Sequence, residues 1–165
     1  MYIYFFEDAL FAAIAAIGFA CISRPPRRAY AYCGIIAAIG HAGRYAIMNL
    51  PAQTVPIVPA TLAAAFAVGL LAVFLTPLSK VPAETCLFPA LLPMIPGIYA
   101  YKAFGGLAVC LLRESPESFG HYFMLSAENG LMCASLLLCL VLGGTIPIFI
   151  FKKISFRATR QPENK

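Results

Sequence analysis

Charge is what this chain has least of. Asp, Glu, Lys and Arg make up 12% of its 165 residues, about half the share in an ordinary soluble domain, where roughly a quarter are charged. Acidic residues number seven and histidines two. With 61% hydrophobic residues and a mean hydropathy of +0.83, a soluble domain of this length is excluded, because the apolar excess sits in blocks long enough to cross a bilayer. A basic leading region is also missing. The first apolar block, residues 3–23, opens with Glu7 and Asp8 and no Lys or Arg, the reverse of a secretory signal, so it reads as a retained span. Catalytic signatures are missing too: there is no metal-ligand spacing, nucleophile elbow, P-loop or dinucleotide fingerprint. No cofactor or metal is expected, and a membrane enzyme has the least support. The six cysteines (Cys21, Cys33, Cys86, Cys110, Cys133, Cys139) all lie in apolar surroundings. None has zinc-site or secreted-disulfide spacing, so all six are expected to pack as small hydrophobes.

What is present is an all-α pattern: a polytopic membrane helix bundle of about five transmembrane helices. The spans lie near 3–23, 29–50, 57–77, 81–112 and 122–151, the fourth broken by prolines, and together they form one bundle over 1–151. A basic tail, 152–165, follows. The net charge of +5 is no nucleic-acid signal, because the cations sit at the ends of apolar blocks. Arg24, Arg27, Arg28, Lys80, Lys152, Lys153, Arg157, Arg160 and Lys165 fall on one side of a five-span topology. Arg113, with Glu7, Asp8, Glu114 and Glu117, falls on the other. The positive-inside rule then predicts N-terminus out and C-terminus in, which an odd number of spans satisfies. Spans rich in Ala and Gly, such as 12–20 and 60–69, favour close helix approach in lipid. They predict partner contacts, and the same faces would also serve a homo-oligomer.

Ionisable residues inside spans cost about 2.5–3.5 kcal/mol on insertion scales and so need a reason. His41 and Arg44, three apart in GHAGR (40–44), project from one helix face between Gly40 and Gly43. Two readings stand: a glycine-lined cavity, or a packing histidine beside an arginine that snorkels to the interface. In residues 88–102, Pro89, Pro93 and Pro96 precede Gly97. Each proline removes a backbone donor, so a continuous helix is not expected. A half-helix starting near Pro96–Gly97 would turn its positive end towards a carboxylate, as discontinuous helices do in transporters, with Tyr99 and Lys102 on one face. A merely kinked packing helix is the alternative. Glu128, beside Asn129, enters the last span. It reads either as an ion-pair partner for Arg44 or Lys102 or as a proton acceptor. His41 is a second ion-coupling candidate, since imidazole as a side-chain type changes charge near neutral pH.

The order GHAGR (40–44), then LPMIPGIYAY (92–101), then a long last helix resembles the small membrane half of the bacterial threonine/serine exporter family over nearly the whole chain. The resemblance implies export of threonine, serine or related carboxylates through the bacterial inner membrane, driven by an ion gradient. It points to Gly40, His41, Arg44, Pro93, Met94, Pro96, Gly97, Tyr99 and Asn129 as substrate-site residues. Lys102 and Glu128 do not fit the family pattern and rest on burial alone. The larger membrane domain of the family is absent here, so a separately encoded partner is expected. A non-transporting assembly subunit is the alternative function.

Overall fold

Among its residues of described burial, helix α1 (Tyr2–Ser23) buries only small ones: Ala12, Ala16 and Ala20, one helical turn apart, are at most 4% exposed, while Phe6, Phe11 and Ile22 are 67% exposed or more. Large apolar groups outside and small ones inside reverse the arrangement that water selects. It is the arrangement of a helix whose outer face meets lipid and whose inner face lets a neighbour approach. The computed structural model describes residues 2–49, 54–112 and 116–155.

The remaining elements are all helical: α2 (Arg27–Met48), α3 (Ile57–Ser79), α4 (Ala83–Leu91) with a 3-10 turn over Leu92–Met94, α5 (Gly97–Leu112), α6 (Pro116–Ile150) and a short α7 (Lys152–Ser155). Among the described residues, Phe5–Ser23, Ile57–Leu75 and Phe119–Ile150 are long and apolar enough to cross a membrane. The broken pair Ala83–Met94 and Gly97–Leu112 supplies a fourth span when counted as one. Helix α2 has 22 residues, about 33 Å of helix, but its His41, Arg44, tyrosines and glycines make it less apolar than the others. The chain is thus an all-α, polytopic helix bundle.

Several helix ends differ from the expected boundaries, most by one or two residues. Helix α3 continues through Pro77 to Ser79, and α6 begins at Pro116, six residues before position 122. Proline suits the first helical position because the donor it lacks has no partner there. Arg24 and Lys80, which follow α1 and α3, both take positive φ, 46° and 54°, the left-handed cap that more often falls to glycine. Of the basic tail, Lys152 and Lys153 are exposed. Positions 156–165, with Arg113 and Glu114, lie outside the described residues.

The chain divides into two compact units, Met1–Met94 with Cys139–Lys165, and Ile95–Leu138. The first contains α1–α4, the 3-10 turn, the last turns of α6, and α7. Its core is built on Ala16, Ala20, Cys33, Ile36, Ala37, Val68, Val73, Leu87 and Ala90. Glycines set its closest approach. A Cβ on Gly69 would lie 2.5 Å from the Gly144 carbonyl oxygen, and one on Gly143 would lie 2.8 Å from the Leu62 carbonyl oxygen, so α3 and α6 touch backbone to backbone. The second unit pairs α5 with the first part of α6. Ser126 Oγ donates to the Ala103 carbonyl at 2.7 Å, and a Cβ on Gly106 would lie 2.9 Å from the Tyr122 carbonyl oxygen.

Candidate functional site

The site begins with what proline does to α4. Pro89 lies inside that helix and cannot donate to the Thr85 carbonyl, four residues back. The Cys33 thiol of α2 donates to that oxygen at 3.7 Å. Further along, helicity stops after Met94 and resumes at Gly97, so the Met94 carbonyl has no helical donor four residues on. Arg44 Nη1 of α2 donates to it at 3.4 Å. Cys33 and Arg44 are eleven residues apart, about three turns, and so share one face of α2. That face supplies side-chain donors to backbone carbonyls freed at membrane depth, which would otherwise cost several kcal/mol each. The thiol therefore does more than fill space, as does Cys110, which donates to the Phe119 carbonyl at 3.6 Å.

One turn before Arg44, His41 is 7% exposed. Its Nδ1 lies 2.9 Å from Asp8 Oδ2 on α1, and Asp8 is 40% exposed. A carboxylate only accepts, so the proton of this bond sits on Nδ1. Nε2 is buried and has no partner among the described residues. The Arg44 guanidinium is half-buried within electrostatic range of Asp8. Asp8, His41 and Arg44 thus form an acid–imidazole–guanidinium cluster spanning α1 and α2, with Arg44 extended to the end of the 3-10 turn. Gly40 permits it: a Cβ there would collide with Val68 Cγ2 of α3 and reach Met94 Sδ at 4.0 Å. Gly43, by contrast, faces open space. It helps line an apolar groove of about 450 Å³ between α1 and α2, with Phe5, Phe6, Ala9, Ala38, Ile39, Ala42 and Ala46.

The sequence-derived residues therefore separate. Gly40, His41, Arg44 and the buried Met94 meet in the first unit, and Pro93 is half-buried in the same 3-10 turn. Pro96, Gly97, Tyr99, Lys102, Glu128 and Asn129 belong to the second unit. There Pro96 is buried and Gly97 is exposed and begins α5, with Tyr99 half-buried. Asn129 Nδ2 donates to the Leu125 carbonyl of its own helix at 2.7 Å. Lys102 and Glu128 are both exposed and form no ion pair with each other, contrary to the burial that singled them out.

Asp8 was missed as a site residue because, beside Glu7, it reads as a charge at the mouth of the first span. The signal that would have found it is the short turn at 24–26. A tight helical hairpin sets opposite each other residues whose numbers sum to about 50, as the Asp8–His41 and Ile17–Gly34 contacts do. Thr61 was missed as well: its Oγ1 is buried without a partner among the described residues, and a lone threonine in an apolar helix gives no warning.

Comparison with known proteins bears on the same region. A protein of Haemophilus influenzae (strain ATCC 51907 / DSM 11121 / KW20 / Rd), described only as uncharacterized, is 42% identical over 96 residues, 58% of this chain and 31% of that relative. The matched stretch is thus about a third of the relative's length. No solved structure matches. The pattern of the family described as "Threonine/Serine exporter, ThrE" matches residues 8–150, from the aspartate of the cluster to the last residue of α6, and the chain belongs to that transporter family.

Proposed function

We propose that the chain is the small membrane half of an exporter of small hydrophilic metabolites, threonine, serine or related carboxylates, working with a larger membrane partner and driven by the proton gradient. The observation that carries this reading is the Asp8–His41–Arg44 cluster beside the helix break at Met94. A cation held at a freed carbonyl can exchange that weak bond for a substrate carboxylate, and the His41–Asp8 pair beside it offers a place for a proton. The partner is supported by the longer relative, which carries the matched stretch within a chain about three times as long. Five spans in the bacterial inner membrane, N-terminus out and C-terminus in, follow from the cation asymmetry. Pro96, Gly97, Tyr99, Lys102 and Asn129 are further substrate-contact candidates within the second unit considered by itself. The test is uptake of radiolabelled threonine and serine into everted vesicles of host cells with and without this gene. Unchanged uptake without the gene, or in the His41→Ala/Pro96→Ala double variant, sinks the assignment.

The wholly apolar groove between α1 and α2 favours a second reading, an assembly subunit that seats a partner's helix. Crosslinking through that groove would persist while substrate protected no cysteine placed along residues 89–102.

A further inference from the structure

Asp8 is the one group of the cluster that both a proton and a substrate cation would need. Its Oδ2 accepts from His41 Nδ1 while the side chain stays 40% exposed, so a ligand can reach the same carboxylate. Because Asp8 holds the proton on Nδ1, the buried Nε2 is left as a lone pair without a partner among the described residues. Protonation at Nε2 turns the pair into imidazolium and carboxylate, which attract strongly at low dielectric. Among the described residues, Tyr45 stands half-buried one turn after His41 on α2, and the other titratable groups of the packed elements lie away from the pair. Glu7 on α1 is exposed on a different face, α3 carries no titratable side chain from Ile57 to Ser79, and the 3-10 turn carries none. Glu84 of α4 is exposed beside Thr85, which lies level with Cys33, about two turns of α2 away from His41. Arg44, on α2 itself, is the one fixed cation of the cluster.

We propose that Asp8 is the shared anchor for which the coupling proton, held through His41, and the ammonium group of a substrate amino acid compete, so that the site exchanges one for the other. This rests on the amino-acid export reading above. With His41 protonated, Asp8 is occupied by the imidazolium. When a zwitterionic amino acid arrives, its carboxylate takes Arg44 and its ammonium takes Asp8. The imidazolium, left beside two cations, loses one proton, which leaves to water by the exposed Asp8 side of the cluster. One proton leaves as one substrate binds, with no change in covalent bonding elsewhere. Proton and substrate therefore occupy the cluster alternately, which is the logic of antiport: inward proton flow drives outward amino-acid flow.

The experiment is proton release on ligand addition, read with a pH dye in weakly buffered detergent solution. The protein is purified from its host membrane through a tag on this chain, together with the subunits that accompany it. Threonine should release close to one proton per site at acid pH, and its apparent affinity should fall tenfold per pH unit on the acid side of the titration. Glycerate, serine's analogue without the ammonium group, should bind without release. Release should disappear in Asp8→Asn and His41→Gln and return in Asp8→Glu, a pattern that a purely structural role would not give. Threonine binding without proton release, equal release by glycerate, or release that survives in Asp8→Asn overturns the proposal and leaves the transport reading standing. No binding of threonine or serine by the wild-type preparation overturns both.

Discussion

Gly40 sets how closely α2 can approach α3, and Gly40→Ala measures what that closeness is worth. The added methyl would lie within 3.0 Å of Val68 Cγ2, well inside ordinary contact. Val68 is fully buried and β-branched, and such a side chain in a helix has one strongly preferred rotamer. It cannot turn away, so the α2 backbone must retreat and carry His41 and Arg44 with it. Overpacking of this kind costs about 1–3 kcal/mol. Val68→Ala alone removes two buried methyl groups, and the cavity it leaves should cost about 1–3 kcal/mol. Together the two changes relieve each other, because the methyl of one fills space vacated by the other. The double variant should therefore be more stable than the sum of the singles by about 1–2 kcal/mol, within the range measured for residues in contact. Unfolding in mixed micelles, followed by helical circular dichroism, gives all four corners of the cycle. Threonine uptake into everted vesicles should fall in Gly40→Ala and recover in part in the double variant. Strict additivity, or a Gly40→Ala protein as stable as the native one, would refute the reasoning.

Other glycines offer a paired contrast. Gly69→Ala should destabilise by about 1–3 kcal/mol, because its new methyl meets a backbone oxygen that cannot rotate away. Gly105→Ala, with nothing within 4 Å, should stabilise α5 by up to about 1 kcal/mol, and the same micelle titration reads both. For the thiol donor, Cys33→Ser should keep the bond to the Thr85 carbonyl and unfold nearly as the native chain does, whereas Cys33→Val should lose about 0.6 kcal/mol, the mean for hydrogen bonds between membrane helices. Arg24→Gly and Lys80→Gly should each raise stability by about 1 kcal/mol by relieving a left-handed backbone. On the proposed orientation each also removes a cation from the inner side, so a reporter fused to the C-terminus should show a larger fraction of inverted chains.

The long apolar runs made α1, α3 and α6 readable, because a bilayer tolerates little else. The helix break was readable from Pro89, Pro93, Pro96 and Gly97, whose backbone chemistry is local. What escaped was whatever depended on facing. Helix α1 is apolar nearly all round, so no periodicity marks the side that meets α2. Asp8 was visible as a charge but not as the partner of His41. Lys102 and Glu128 looked buried because their neighbours in sequence are apolar, yet both are exposed on this chain. Hydropathy registers how apolar a neighbourhood is and not which way a side chain points. Cys33 was visible only as a small hydrophobe. Its role arises from a proline fifty-six positions later, through a carbonyl that no local pattern marks as free.

The glycine seam between α3 and the end of α6 also has a mechanical meaning. Where side chains interdigitate, two helices can slip by exchanging rotamers. At Gly69 and Gly143 few side-chain atoms intervene and the opposing surfaces are largely peptide planes a few ångströms apart, while Gly144 lets the Leu87 and Leu91 side chains of α4 approach. Such a joint behaves as a weld. Within this unit, α3 and residues 139–150 form a stiff plate. The α1–α2 hairpin packs against this plate and α4 through the small-residue core, and at its ionisable end through the flexible sulfur of Met94, one long arginine and the valine at Gly40. Compliance lies on that side, the side that carries the ionisable groups.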